Sequence, residues 1–291
     1  MVADAEKKKK GRLYMLAAAL GWGLAGVCVK SITWGSLPIV AVRSFVSFFM
    51  FIIVRGSFKL NFSKVNILGA VTGAATGILY LQAIKLTTAG NAIVLQYIAP
   101  ILVFLFAVIF QHRKPKVIET ILTIAVFGGI VLSFSDSLDA SHVLGNILGL
   151  ASGFTFAAQI IILNDEKSDS EDSLIMSCLL SLIITLPFLL TDKTLEFTAK
   201  NIFWVMVLAV VQYGFSNIMF SRGIDLVDKV EGSLILTIEP IFNPIPVAII
   251  CGEMMGIRAI LGSIIVIVCV TLYGLIPTIE ERKRAKKENV N

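Results

Sequence analysis

The stretch LILTIEPIFNPIPVAII occupies residues 234–250. It has the length and apolarity of a membrane helix, yet it holds Glu239, Pro240, Pro244 and Pro246. An ionisable side chain at the bilayer centre costs about 2.5–3.5 kcal/mol on insertion scales. A proline in a helix interior costs about 3 kcal/mol relative to alanine. A run spoiled four times over needs compensation from the rest of the chain.

The rest of the chain is equally apolar. Of its 291 residues 56% are hydrophobic and only 15% are charged, with a mean hydropathy of +0.87. A soluble domain has no interior large enough for that composition. Ten apolar segments stand out, at 12–30, 38–54, 65–83, 91–110, 117–134, 143–163, 173–190, 202–221, 230–251 and 257–276. Each is long enough to cross a hydrocarbon core of about 30 Å at about 1.5 Å per residue. The reading is an all-α integral membrane protein of ten transmembrane helices, with no extramembrane domain.

Ten spans put both tails on one side. That side's tails and loops hold 19 of the 25 Lys and Arg residues and the other side's loops hold five, so both termini are read as cytoplasmic. The cell membrane is the expected location. The basic tails KKKKGR (7–12) and ERKRAKK (281–287) flank spans and need no nucleic acid to explain them. No small-residue cleavage site follows Leu20, so the first span is read as a retained helix rather than a signal peptide. Asp165, Glu166, Asp169, Glu171 and Asp172 read as a solvated loop. Cys28, Cys178, Cys251 and Cys269 form no framework and read as small buried hydrophobes. His112 and His142 fall in expected loops, and no nucleotide, zinc or hydrolase motif occurs, so neither metal nor cofactor is expected.

An internal repeat explains part of the opening stretch. AIKLTTAGNAIVLQYIAPI (83–101) and GIDLVDKVEGSLILTIEPI (223–241) align without a gap at an offset of 140, which superposes Pro100 on Pro240. Each half carries five spans. Five is odd, so the second copy crosses the membrane in the opposite sense, giving two inverted five-helix repeats at 1–137 and 138–291 within one membrane domain. Helices broken at matching positions, here Pro100 and Pro240, point to the substrate site. Irregular backbone at that depth is tolerated where protein or a watery cavity covers it. Glu239 is not explained by symmetry, since its counterpart is Ala99.

Polar groups inside spans should face the bundle interior. The substrate-binding candidates are Glu239, Trp22, Tyr80, Gln96, Tyr97, Gln159, Tyr213, Asn217 and Asn243. Glu239 is also the candidate for proton coupling, because a carboxylate can pair with an ammonium group or carry a proton. Trp22, Tyr80, Tyr97 and Tyr213 could instead form a cage for a quaternary ammonium. Arg43 either holds structure by snorkelling, the reading placed first, or pairs internally with a substrate carboxylate. Lys30 reads as an interfacial anchor. Gly69, Gly73 and Gly77, and likewise Gly145, Gly149 and Gly153, read as close helix-packing faces.

On five features the chain resembles the drug/metabolite transporter superfamily in its ten-span EamA-type form. These are GWG in span 1 with Lys30 near its end, Arg43 early in span 2, TTAGNAIVLQYIAPI, EPIFNPIPV, and CGE at 251–253. The first-half counterpart of that Gly-Glu departs from the pattern and reads FQHRKP. The resemblance implies inverted repeats around a central cavity and alternating access. It implies substrates among amino acids, other metabolites, choline-like amines and drugs.

The combined reading is a secondary transporter of a small metabolite and not an enzyme. An amino acid or related amphipathic compound ranks first, and choline or another quaternary amine second. An intramembrane enzyme, for which no nucleophile–base pair is evident, and a channel are remote alternatives. The expected partners are the small-molecule substrate, the lipid bilayer and a coupled proton, with the oligomeric state left open.

Overall fold

A computed structural model describes residues 2–110, 112, 114, 116–135, 140–163, 167–224, 226–227, 235–236 and 238–288. Among the described residues there are helices and connecting loops but no strands. Among the described residues seven helical stretches are long and apolar enough to cross a membrane. Shorter apolar helices over Val117–Ser133, Ile238–Cys251 and Ile257–Leu272 coincide with the three remaining apolar segments. The start of the ninth segment, 230–234, lies outside the described residues, as do Asp165 and Glu166 of the acidic loop.

The helices are α1 (Val2–Trp22), α2 (Ala25–Ser31), α3 (Ser36–Arg55), α4 (Lys64–Leu86), α5 (Ala89–Gln96), α6 (Ala99–Phe110) and α7 (Val117–Ser135). There follow α8 (Ala140–Leu163), α9 (Ser170–Thr191), α10 (Ala199–Met206), a π-helix (Val207–Phe215) and α11 (Ser216–Ile224). The last three are α12 (Ile238–Phe242), α13 (Pro244–Cys251) and α14 (Ile257–Glu288). Side-chain caps fix several starts. Ser63, Thr88 and Thr198 accept the backbone N–H groups of Asn66, Asn91 and Asn201, and Asp169 accepts those of Glu171 and Asp172. Each such cap is worth about 1 kcal/mol.

The major helix pairs join one half of the chain to the other. α4 lies along α8 and α9, α3 along α9, α1 along α11, and α7 along α14. Neither half therefore buries its own inner face. On the N-terminal side Gly11 abuts Leu226, and Asn66 and Asp172 bind across to 169 and 61. On the opposite side Thr33 N–H donates to Asn201 Oδ1 at 3.1 Å and Trp34 Nε1 donates to the Glu196 carbonyl at 2.8 Å.

Glycine sets the closest approaches. Gly145, Gly149 and Gly153 of α8 lie against the Leu86–Thr87 backbone, Leu95, and Ile98 with the Gln96 carbonyl. That is the close-packing face expected from the four-residue spacing. A tighter contact carries no such spacing. A Cβ at Gly262 would collide with the Gly129 carbonyl oxygen of the facing helix. Gly262→Leu is accordingly expected to force α7 and α14 apart and to lower thermal stability by a few kcal/mol, at the upper end of overpacking costs of about 1–3 kcal/mol. The unfolding midpoint of purified protein checks this.

Several details differ from the sequence expectation, among them Asp172, which is buried in the first turn of α9 and paired with Arg55 rather than lying in a solvated loop. The first span is not one helix but breaks at Gly23–Leu24. His142 is in the first turns of α8, its Nδ1 3.3 Å from the Leu86 carbonyl, rather than in a loop. Cys251 is exposed, unlike the buried Cys28, Cys178 and Cys269, because it ends α13 just before Gly252.

Candidate substrate site at the broken helices

Proline leaves a carbonyl four residues upstream without its helical donor. Pro240 frees Leu236 in this way. The orphaned oxygen is met from the other half of the chain, where the Tyr97 hydroxyl lies 3.4 Å from it. The same hydroxyl is 3.2 Å from Glu239 Oε2. Pro100 frees the Gln96 carbonyl, and α8 presents Gly153 there, where a Cβ would lie only 3.0 Å from that oxygen. The α5–α6 break falls at Tyr97–Ile98 and the α12–α13 break at Asn243, which Pro244 follows at the first position of α13. Pro100 thus follows the first break closely, whereas Pro240 lies within α12 and the second break comes at Asn243, before Pro244; Tyr97 and Glu239 are in contact between them.

The GWG motif makes room for this arrangement. A Cβ on Gly23 would fall 2.6 Å from the Phe242 ring and 3.5 Å from the Glu239 carbonyl oxygen. Gly21 faces the Ser216 hydroxyl. Close approach, rather than turn geometry, is what requires glycine here.

One face of α4 organises the remaining groups. Gly73, Gly77 and Tyr80 lie along it within about 10 Å at 1.5 Å per residue. Gln159 Nε2 and Ser177 Oγ project over Gly73, and the Arg43 guanidinium projects over Gly77. The buried Tyr80 hydroxyl has no hydrogen-bond partner and lies within electrostatic reach of Glu239. The Gly69–Gly73–Gly77 row, expected only to let helices touch, therefore also makes space for polar side chains from α3, α8 and α9.

Other sequence candidates are distributed as follows. Gln96 is buried in the last turn of α5. Asn243 is wholly buried at the α12–α13 break with neither amide atom partnered, its Oδ1 against Gly26. Asn217 donates to the Tyr213 carbonyl at 2.7 Å and so serves its own helix. The four aromatics do not form one cage. Tyr97 meets Glu239, Trp22 packs against Phe220 at 5.2 Å, and Tyr213 carries Arg43 at 4.4 Å from its ring centre.

Two features escaped the sequence reading. The first is the π-helix, a rare conformation found mostly at functional sites. It holds Gln212 and Tyr213, and Ser216 Oγ closes onto the Val211 carbonyl at 2.9 Å. The second is a polar latch on the face opposite the N-terminus. Lys30 is no snorkelling anchor. Its Nζ lies 2.5 Å from Glu253 Oε2 and donates to the Thr87 carbonyl at 2.7 Å. Glu253 Oε1 accepts the Ala89 N–H, a free donor at the start of α5, at 2.7 Å. Gly252, at φ +69°, ends α13 in the left-handed conformation that glycine adopts without strain and turns Glu253 back onto the latch. That gives CGE its physical meaning.

Residues 9–135 and 143–275 each match the EamA-like transporter family. The chain belongs to that family. EamA-like membership makes it a multi-pass membrane transporter of small solutes and points away from an enzyme. The fold resembles a solved crystal structure of a protein at TM-score 0.65 and 14% identity, covering 91% of this chain and 97% of that one. No curated protein matches.

Proposed function

We propose that this EamA-like chain is a ten-span secondary transporter of a small amphipathic metabolite, an amino acid or close relative, working by alternating access. Its two inverted five-helix repeats, 1–137 and 138–291, rock against each other around the broken helices. Both termini are cytoplasmic in the cell membrane. The observation that carries this reading is the Tyr97–Glu239 contact, which joins the broken helix of one repeat to that of the other. A substrate ammonium replacing the Tyr97 proton at Glu239 would act on both repeats at once. The Lys30–Glu253 latch closes the face opposite the termini and must part when that face opens.

The same contact supports proton coupling. A hydroxyl has one proton to give. With Glu239 ionised, Tyr97 gives it to the carboxylate and Leu236 goes without. With Glu239 protonated, the acid donates to Tyr97 Oη and Tyr97 donates to Leu236. Protonation thus moves one hydrogen bond between the side chain of Glu239 and the backbone of its helix.

Counterflow in proteoliposomes tests the reading. Saturable exchange of an L-amino acid, with no passive flux and no new product, is expected. Tyr80 and Tyr97 beside a carboxylate also suit an alkylated ammonium. Exchange confined to choline-like amines would replace the amino-acid assignment.

A further inference from the structure

Arg43 is 4% exposed, in the middle of α3. Its guanidinium stacks on the Tyr213 ring at 4.4 Å, and its terminal nitrogen lies over Gly77. Nε is fully covered and has no acceptor. Among the described residues no carboxylate forms an ion pair with it. Asp172, Glu253 and Glu239 are engaged by other residues, Asp172 by Arg55, Glu253 by Lys30 and Glu239 by Tyr97. Tyr213 is itself steadied by Ser177 and Cys178. A snorkelling arginine would reach an interface, and a structural one would have an acceptor. This side chain has neither, and a buried unpaired charge is expensive to keep.

We propose that Arg43, held by Tyr213 and seated on Gly77, is the subsite that binds the carboxylate of the transported compound. Its planar fork matches a carboxylate in two parallel hydrogen bonds. Gly77 and Tyr80 are one turn apart on α4, with Arg43 over the first and Glu239 within electrostatic reach of the second. The pair offers one positive and one negative charge to a ligand with an ammonium and a carboxylate. This deepens the amino-acid reading above and rests on it for the ammonium end, whereas the carboxylate end stands on Arg43 alone.

Thermal unfolding of the purified full-length protein tests this. The probes are L-leucine, L-phenylalanine and L-glutamine, their carboxamides, butyrate, and inorganic phosphate. The acids are expected to raise the unfolding midpoint and the carboxamides to fail. Arg43→Met should abolish the shift while raising the midpoint of the ligand-free protein, since it removes an uncompensated charge. A structural arginine would instead lower that midpoint on removal. Gly77→Ala keeps the charge but places a Cβ 2.8 Å from the guanidinium nitrogen. It should weaken acid binding about tenfold, as loss of one charge-assisted bond does, and it serves if Arg43→Met does not fold. Equal shifts from acids and carboxamides, an undiminished shift in Arg43→Met or in Gly77→Ala, a response to phosphate alone, or no response to any carboxylate would each overturn the proposal. Amino-acid binding that survives Arg43→Met would leave the amino-acid reading standing without the subsite. An Arg43-dependent response to butyrate, with none to amino acids, would leave the subsite standing without the amino-acid reading.

Discussion

Replacing Glu239 by glutamine is expected to lower transport by about a hundredfold and to flatten its dependence on pH. The size follows from losing charge-assisted interactions of about 3 kcal/mol at a half-buried site. Glutamine is the informative substitution because it resembles the protonated acid. Its amide can donate to Tyr97 Oη, leaving the Tyr97 proton for the Leu236 carbonyl, so the α12 break is kept. The fold should survive and the chemistry should not. Loss of both counterflow and net uptake would assign Glu239 to the substrate ammonium. Retained counterflow with lost pH dependence would assign it to the proton. Tyr97→Phe makes the opposite change, since it spares the charge but removes the hydroxyl that donates to Glu239 when that acid is ionised and to the Leu236 carbonyl when it is protonated. It should cost about tenfold, as for one hydrogen bond of about 1 kcal/mol or slightly more. Transport by Glu239→Gln at the wild-type rate with an unchanged pH profile would remove Glu239 from the mechanism. Initial rates in proteoliposomes across a pH series decide it.

Much of this site was readable from local chemistry. Pro100 marks the break at Tyr97–Ile98, whereas in the second half the break falls at Asn243 before Pro244 and not at Pro240. Glu239 betrays the site because a charge in an apolar run demands a partner. The partner itself was visible only as a candidate. Nothing in the spacing says that Tyr97, rather than Tyr80 or Tyr213, meets Glu239. The π-helix at Val207–Phe215 left no trace in composition. Its extra residue per turn is sustained by the bonds of Ser216 and Asn217 to carbonyls upstream, and these side chains would suit an ordinary helix equally well. The glycine rows show a related limit. Gly145, Gly149 and Gly153 receive backbone and apolar side chains, whereas Gly69, Gly73 and Gly77, identically spaced, receive Ser173, Gln159, Ser177 and Arg43. Spacing fixes which face is small, and the neighbouring helix decides what fills it.

Breaking the Lys30–Glu253 latch is expected to shift the equilibrium between the closed and open forms of the face opposite the termini about tenfold towards open. The side chains are 18% and 22% exposed. Solvent therefore screens the ion pair to roughly the 1 kcal/mol of a surface pair, and it alone would do little. The latch is stronger because each partner also holds backbone, Lys30 the Thr87 carbonyl and Glu253 the Ala89 amide. A total of about 1.4 kcal/mol is one tenfold change in population. Lys30→Met and Glu253→Met should each produce most of it, and the double variant little more, since either loss releases the same contact. The charge swap Lys30→Glu with Glu253→Lys should not rescue. A glutamate cannot donate to Thr87, and a lysine cannot accept from Ala89. Cys28 provides the readout, being fully buried in the helix that carries Lys30 in its last turn. With the other three cysteines replaced by serine, its rate of labelling by a maleimide should rise about tenfold in each variant and fall again when substrate is added. Equal labelling of wild type and all variants would mean that this face opens without parting Lys30 from Glu253. Rescue by the charge swap would mean that the pair acts through charge alone, and that the hold of Glu253 on the first turn of α5 is incidental to opening.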